Sequence, residues 1–190
     1  MRLPVPGKKG DVSLEECLEK RRSERGFTSR ELTPEQISQL LWAGQGISRS
    51  TYRTAPSAGA LYPPEIYLAI KDGVYRYKPG EHELEQTLEA DVRHHLSRAA
   101  LSQGFIEEAP VDIVITAVYQ RTEGRYGERT ARYVHMEAGH AAQNIHLQAV
   151  ALSLGSVPIG AFHDDEVQRA LSLPKGEYPL YIIPVGYRAG

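Results

Sequence analysis

The chain has 190 residues, 41% of them hydrophobic and 24% charged, with a formal net charge of −2 and a mean hydropathy of −0.40. That length and mix suit one globular domain over residues 1–190, able to bury a core without disulfides, and exclude a disordered or fibrous chain. Near-neutral charge argues against a surface built for nucleic acid or anionic lipid; one cysteine excludes an internal disulfide, and no apolar run reaches the ~18 residues of a membrane helix.

The opening "MRLPVPGKKGD" has no apolar run of the signal-peptide kind, so a cytoplasmic protein is expected. A first helix opens at Ser13, with Glu16 in the capping-box position and Leu14, Cys17 and Leu18 on one face. A second starts at "TPEQ", with Thr33 as cap, Pro34 at the first helical position and Gln36 completing the box. Ile37, Leu40 and Leu41 form its apolar face, and Gly44 and Gly46 are expected to stop it. The small-residue stretch "RTAPSAGALYPPE" (53–65) reads as a loop, "IYLAI" as a strand, Asp72-Gly73 as a hairpin turn and "VYRY" as the returning strand.

Further on, "DVRHHLSRAALSQ" (91–103) reads as a helix and "VDIVITAVY" (111–119) as a buried strand. The run "RTEGRYGERTARY" (121–133) reads as a solvated loop or a substrate rim. A long helix is expected from about Glu128 to Leu154, stopped by Gly155. Its Ala138, Gly139, Ala141, Ala142, Ala149 and Ala151 suit close approach of another helix, either in a second subunit or within the same core. "SVPIGAF" is extended, "DDEVQRAL" helical, and "YPLYIIPVGY" closes the chain as a strand. The tight hairpin in place of a crossover favours α+β: a mixed, mainly antiparallel sheet flanked by helices, with a long central helix.

The chemistry concentrates in "EKRRSERGF" (19–27). If the first helix continues, Arg21 and Arg22 fall on the face of Leu14, Cys17 and Leu18, where a guanidinium needs a partner. A core carboxylate, a helix that ends before Arg21, or a bound anion would each answer this. No glycine-rich phosphate loop is present. His135 and His140 diverge around their helix and His146 lies about 16 Å along it from His135, no G-x-S-x-G occurs, and Cys17 has no evident base. Reactivity is therefore expected from a bound cofactor.

"RRSERGF", "APSAGALYP", "EAGHAAQN" with "LSLG", "VPIGAF" and "PLYIIPVG" occur in the order found in nitroreductase-like flavoproteins, and the chain resembles that superfamily over about residues 13–187. The wording is most similar to the SagB-type dehydrogenase branch. The resemblance implies non-covalent FMN, a homodimer with the site at the interface, and hydride transfer through flavin N5. It places the phosphate on Arg21, Arg22 and Ser23, and Arg25 near flavin N1 and O2. That placement of Ser23 requires the first helix to end near Arg22. The resemblance further lays Pro56, Ser57, Ala58, Gly59 and Ala60 along the ring and sets Gln103 at the pyrimidine edge. Pro158, Ile159, Gly160 and Ala161 then face N5, and Arg188 adds a phosphate contact. Tyr62, with Tyr67 beside it, is the nearest candidate for a proton donor or substrate platform. The implied function is an FMN-dependent oxidoreductase with a ping-pong cycle, NAD(P)H as donor and a quinone or nitro-aromatic as small-molecule acceptor. The alternatives are a SagB-type dehydrogenase passing substrate hydride to oxygen, and a non-catalytic flavin-binding module.

Overall fold

A computed structural model describes residues 1–190. Helix α1, Leu14–Lys20, starts where Ser13 accepts the Glu16 N–H at 3.1 Å, and it ends before Arg21, one of the alternatives the sequence left open. Arg21 already has ψ 123°, so neither Arg21 nor Arg22 extends the helical face. Only Cys17 of that face is buried; Leu14 and Leu18 are 60% and 52% exposed. Helix α2, Pro34–Gln45, carries the full capping box and ends at Gly46. Gly44 does not stop it. It lies inside the helix, where a Cβ would come within 2.8 Å of Ile66 Cδ1 and 3.0 Å of Ile145 Cδ1, so its absence sets the packing distance.

A small hairpin, β1 (Ile47–Arg49) with β2 (Tyr52–Arg53), leads to the loop that precedes β3, Pro64–Ile70. Strands β4 (Gly73–Lys78) and β5 (Glu83–Leu88) follow in a meander; β5 is a further strand, and it is polar because it lies at the sheet edge. The expected helix over 91–103 is two helices, α3 (Arg93–Ala99) and α4 (Phe105–Glu108). Leu101 and Ser102, with φ 59° and 58°, break it. After β6 (Val111–Val118), the stretch read as loop or rim forms α5, Gln120–Tyr126. The long helix α6 is Thr130–Ala151, 22 residues, and it ends before Gly155 where Ser153 turns to φ 60°. Strand β7 (Gly155–Ser156), α7 (Asp164–Ala170) and β8 (Glu177–Gly186) complete the chain.

The six-stranded sheet has the order β5-β4-β3-β6-β8-β7, and every ladder in it is antiparallel. The parallel element is one isolated bridge, Ser23 to Ser156. Alternation along β6 sends Val111, Ile113 and Ile115 into a core shared with α2 and α6, and Val114 into a second core shared with α3 and α7. Four alanines of α6 face inward: Ala138, Ala141, Ala142 and Ala149 all belong to the first core, so they serve packing within the chain, whereas Gly139 and Ala151 are half-buried outside it.

Candidate functional site

Because α1 stops at Lys20, residues 21–28 run as a ribbon along the β7–β8 end of the sheet. The Glu24 N–H donates to Ser156 O at 3.1 Å, Thr28 N–H to Tyr187 O at 2.8 Å, and Ala189 N–H to Gly26 O at 3.0 Å. This ribbon carries Ser23 to Ser156 and draws Arg188 opposite Phe27. Gly155 lets the side chains of Glu24 and Arg188 close over it; a Cβ there would stand 2.8 Å from Glu24 Cβ and 2.9 Å from Arg188 Cγ. Arg22 and Arg188 line a cavity of about 670 Å³ with Glu24, His146 and Ser156. None of Arg21, Arg22, Arg25 or Arg188 makes an ion pair with a carboxylate. Arg22 Nη1 instead donates to the carbonyls of Glu19 and Arg21, at 2.7 and 2.8 Å.

Arg21 is anchored to a buried histidine. Its Nη1 lies 3.1 Å from His146 Nε2, and His146 Nδ1 lies 2.5 Å from Ser156 Oγ. Burial, reinforced by the neighbouring Arg21 charge, lowers the His146 pKa to about 4 and keeps the ring neutral. Sequence reasoning weighed His146 only as a metal ligand and missed this contact. No group of three or more His, Cys, Asp or Glu residues is arranged to hold a metal ion.

The "PIGA" segment is pinned to the same end. Ile159 exchanges both backbone hydrogen bonds with Ile182, at 2.8 and 3.0 Å, so its own amide is spent. Pro158 has no amide hydrogen. Gly160 and Ala161 are exposed, and neither N–H finds a partner within the chain. Gln103 is half-buried and its side-chain amide spends one donor on Ala100 O at 2.8 Å, leaving Oε1 without a partner. Arg25 reaches toward this corner, its Cζ 6.0 Å from the centre of the Phe105 ring.

The loop over residues 56–60 belongs to a second group. Gly59 and Ala60 are left-handed, with φ 63° and 54°. The Ala58 N–H donates to Glu137 Oε1 at 2.8 Å, while Glu137 Oε2 is buried without a partner. Burial raises the Glu137 pKa against the opposing hydrogen bonds from Ala58 and Ser57. Ser57 Oγ accepts the Tyr62 N–H at 2.8 Å, and Pro56 is exposed at the loop's start. Tyr62 is a pillar of this loop: its hydroxyl accepts the Arg53 N–H at 3.4 Å, its ring lies under the Arg53 guanidinium at 4.6 Å, and its carbonyl accepts from Arg121 at 2.9 Å. Tyr67 is 2% exposed, so its phenol does not face an open site, and burial, then Glu177, raise its pKa and make it a still weaker acid. Arg125 and Tyr126, inside the run read as loop or rim, stand over the loop; a Cβ on Gly59 would be 2.9 Å from Arg125 Nη1 and 3.1 Å from Tyr126 OH.

The structure thus sorts the sequence-predicted residues into two sets. Arg21, Arg22, Ser23, Arg25, Gln103, Pro158, Ile159, Gly160, Ala161 and Arg188 gather near the β7–β8 end, whereas Pro56, Ser57, Ala58, Gly59 and Ala60 gather with Tyr62 on the other side of α6. Their anchors on α6 are His146 and Glu137. Nine helical residues separate these by about 13–14 Å and about half a turn, so they point to opposite faces. The first set fits a phosphate-bearing flavin in kind: unpaired guanidinium groups and a serine hydroxyl for the phosphate, and free backbone amides for a polar ring edge.

The sequence model of the Nitroreductase family matches residues 18–187. MJ1384 of Methanocaldococcus jannaschii, a protein classed with the nitroreductases, is 45% identical over 183 residues, covering 93% of this chain and 91% of its own. Among solved structures, that of reut_a1228 from Ralstonia eutropha, classed in the same way, superposes with a TM-score of 0.92 at 32% identity, covering all of this chain and 90% of that one. The NADPH:FMN oxidoreductase of Vibrio harveyi shares the fold alone, with a TM-score of 0.72 at 23% identity over 93% of this chain and 69% of that one.

Proposed function

The chain belongs to the nitroreductase family, a family of oxidoreductases, and from that premise we propose that it is an FMN-dependent enzyme taking electrons from NAD(P)H and passing them to a quinone, nitro-aromatic or similar small acceptor. The observation that carries this reading is the gathering of Arg21, Arg22, Arg25 and Arg188, all without carboxylate partners, on the ribbon along β7 and the end of β8, with the free amides of Gly160 and Ala161 following the Ile159–Ile182 bridge on the same strand. When bound, FMN would supply the hydride chemistry at N5 in alternating reductive and oxidative halves of a ping-pong cycle. The protein's part is binding and electrostatics. Arg21, Arg22, Ser23 and Arg188 hold the phosphate; Arg25 sets a fixed positive charge near the ring, which favours an anionic reduced form. Gln103 reads the ring edge, and Gly160 and Ala161 donate toward the reacting side without a titrating group.

Within this proposal the enzyme is a homodimer. Loop 56–60 and the arginine set lie on opposite faces of α6 in one chain, so a loop from a second copy completes each site. Leu14, Leu18 and Met136, at 60%, 52% and 53% exposure, supply apolar surface for that contact.

The test is flavin retention and reduction. Freshly purified protein should carry the visible flavin band, and anaerobic NAD(P)H should bleach it. Arg21→Ala should weaken FMN binding by about 100-fold, the worth of a charge-assisted bidentate contact of about 3 kcal/mol, with the fold intact. Stoichiometric FMN in that variant, or no bleaching with either nicotinamide, would remove the assignment.

A further inference from the structure

Arg21 and its anchor also define a residue that works through another. We infer that His146 is a positioning residue: it binds one guanidinium nitrogen of Arg21 and so fixes the remaining N–H donors for the phosphoryl group of a flavin nucleotide. The inference rests on the phosphate role proposed above for Arg21.

The hydrogen-bond directions leave one arrangement. An arginine donates and never accepts, so at 3.1 Å from Arg21 Nη1 the His146 Nε2 must present its lone pair. The ring proton then sits on Nδ1 and is donated to Ser156 Oγ at 2.5 Å. Ser156 is itself fixed, because its backbone oxygen accepts the Glu24 N–H at 3.1 Å and it bridges to Ser23. The chain Ser156–His146–Arg21 therefore ties β7 and α6 to the ribbon that carries the other arginines. Both inner members are enclosed: Ser156 is 1% and His146 is 3% exposed. An apolar side chain could fill the same space but would leave Arg21 without the lone pair of Nε2. The charged groups lining the adjoining cavity are Glu16, Glu19, Lys20, Arg22, Glu24 and Arg188. None of them hydrogen-bonds the ring, whose two nitrogens meet Arg21 and Ser156.

An unheld Arg21 would retain its charge but sample many rotamers. Fixing it beforehand removes an ordering cost from ligand binding. The effect should appear only for ligands that carry the phosphate.

The experiment measures dissociation constants for FMN and for riboflavin, by quenching of flavin fluorescence, on the wild type and on His146→Leu, His146→Gln, Ser156→Ala and Arg21→Ala. His146→Leu should weaken FMN by about tenfold, the equivalent of about 1.4 kcal/mol, and leave riboflavin within about twofold. His146→Gln, whose Oε1 can accept from Arg21 where Nε2 does, should keep FMN within about threefold. Ser156→Ala removes the acceptor that fixes the tautomer and should weaken FMN alone by about threefold to fivefold. Equal losses for FMN and riboflavin in His146→Leu would assign the ring to packing and overturn the inference. So would unchanged FMN affinity in both His146→Leu and Ser156→Ala while Arg21→Ala loses it. If Arg21→Ala itself keeps FMN, the phosphate role of Arg21 falls first, and the positioning role with it. Should His146→Leu not fold, the Gln and Ala variants decide the matter alone.

Discussion

Acidification puts a number on the burial of His146. Its pKa falls from 6.5 to about 4 in the folded protein, because the enclosed ring loses solvation for its charged form and Arg21 stands beside it. A histidine depressed in this way binds its proton more readily unfolded than folded. Its contribution to stability is therefore complete above about pH 6.5 and is lost as pH falls toward about 4. At about 1.36 kcal/mol per unit, the full difference is a ceiling of about 3 kcal/mol; relaxation of the ring and entry of water reduce the expected loss to about 1–2 kcal/mol. Urea unfolding of the wild type and of His146→Leu, repeated from about pH 7.5 to about pH 4.5, isolates the group, since other titrating residues cancel between the two proteins. The wild type should lose about 1–2 kcal/mol more than the variant across that range, with the steepest difference near pH 5–6. Parallel curves would show that protonating this ring costs the fold nothing, and the buried, lone-pair-presenting histidine would have to be abandoned.

The opposite sign is expected at Asp112, fully buried on β6 with neither carboxylate oxygen partnered. Burial raises its pKa well above the usual carboxylate value, against the weaker pull of Arg93, so its proton stays on in the fold and stability falls as pH rises. Asp112→Asn should flatten that fall; a variant with the wild-type pH slope in urea unfolding would refute it. Gly46→Ala should cost about 2–4 kcal/mol, read as a drop in melting temperature. Its Cβ would stand 2.2 Å from Trp42 Cδ1 and 2.7 Å from Trp42 Cα, a clash that includes backbone, and an unshifted melting temperature would contradict that packing.

Where a local signal was strong, the sequence carried the fold. The capping box at Thr33 and Gln36, the β3–β4 hairpin and the apolar run of β6 all appear where pattern placed them, although the turn itself is Lys71-Asp72 and Gly73 already pairs with Ile70. Strand β5 was hidden because an edge strand buries little, and its mostly polar sequence shows no clear apolar alternation. The break at Leu101 and Ser102 was hidden because neither residue is a glycine, the usual sign of a left-handed turn. At the site, residue types were legible but placement was not. The arginines stood out for a mistaken reason, an apolar stripe that most of α1 leaves exposed. Their gathering depends on the ribbon over residues 21–28 pairing with Ser156, Tyr187 and Ala189, contacts more than 130 positions away along the chain. Glu137 looked like an ordinary polar residue of a long helix, and His146 drew notice only as a metal-ligand candidate. Only the inward turn of α6 shows that each buries a polar group beneath a different part of the candidate site.

That arrangement on α6 bears on oligomeric state more directly than the alanines do. Ala138, Ala141, Ala142 and Ala149 are used up in packing within the chain, so they leave no small-residue seam for a partner. The separation of Glu137 from His146 is a different kind of fact, because a rigid helix of 22 residues cannot bring two opposite faces to one ligand. If both sets touch the same flavin, they must come from two chains, and the α6 surface bearing Met136 is exposed where such a partner could lie. Dilution should then release flavin and monomer together. Sedimentation of the FMN-loaded protein over a concentration series, read at the flavin band, follows both in one experiment. A monomer that keeps its flavin at full affinity would mean that loop 56–60 has no part in the site.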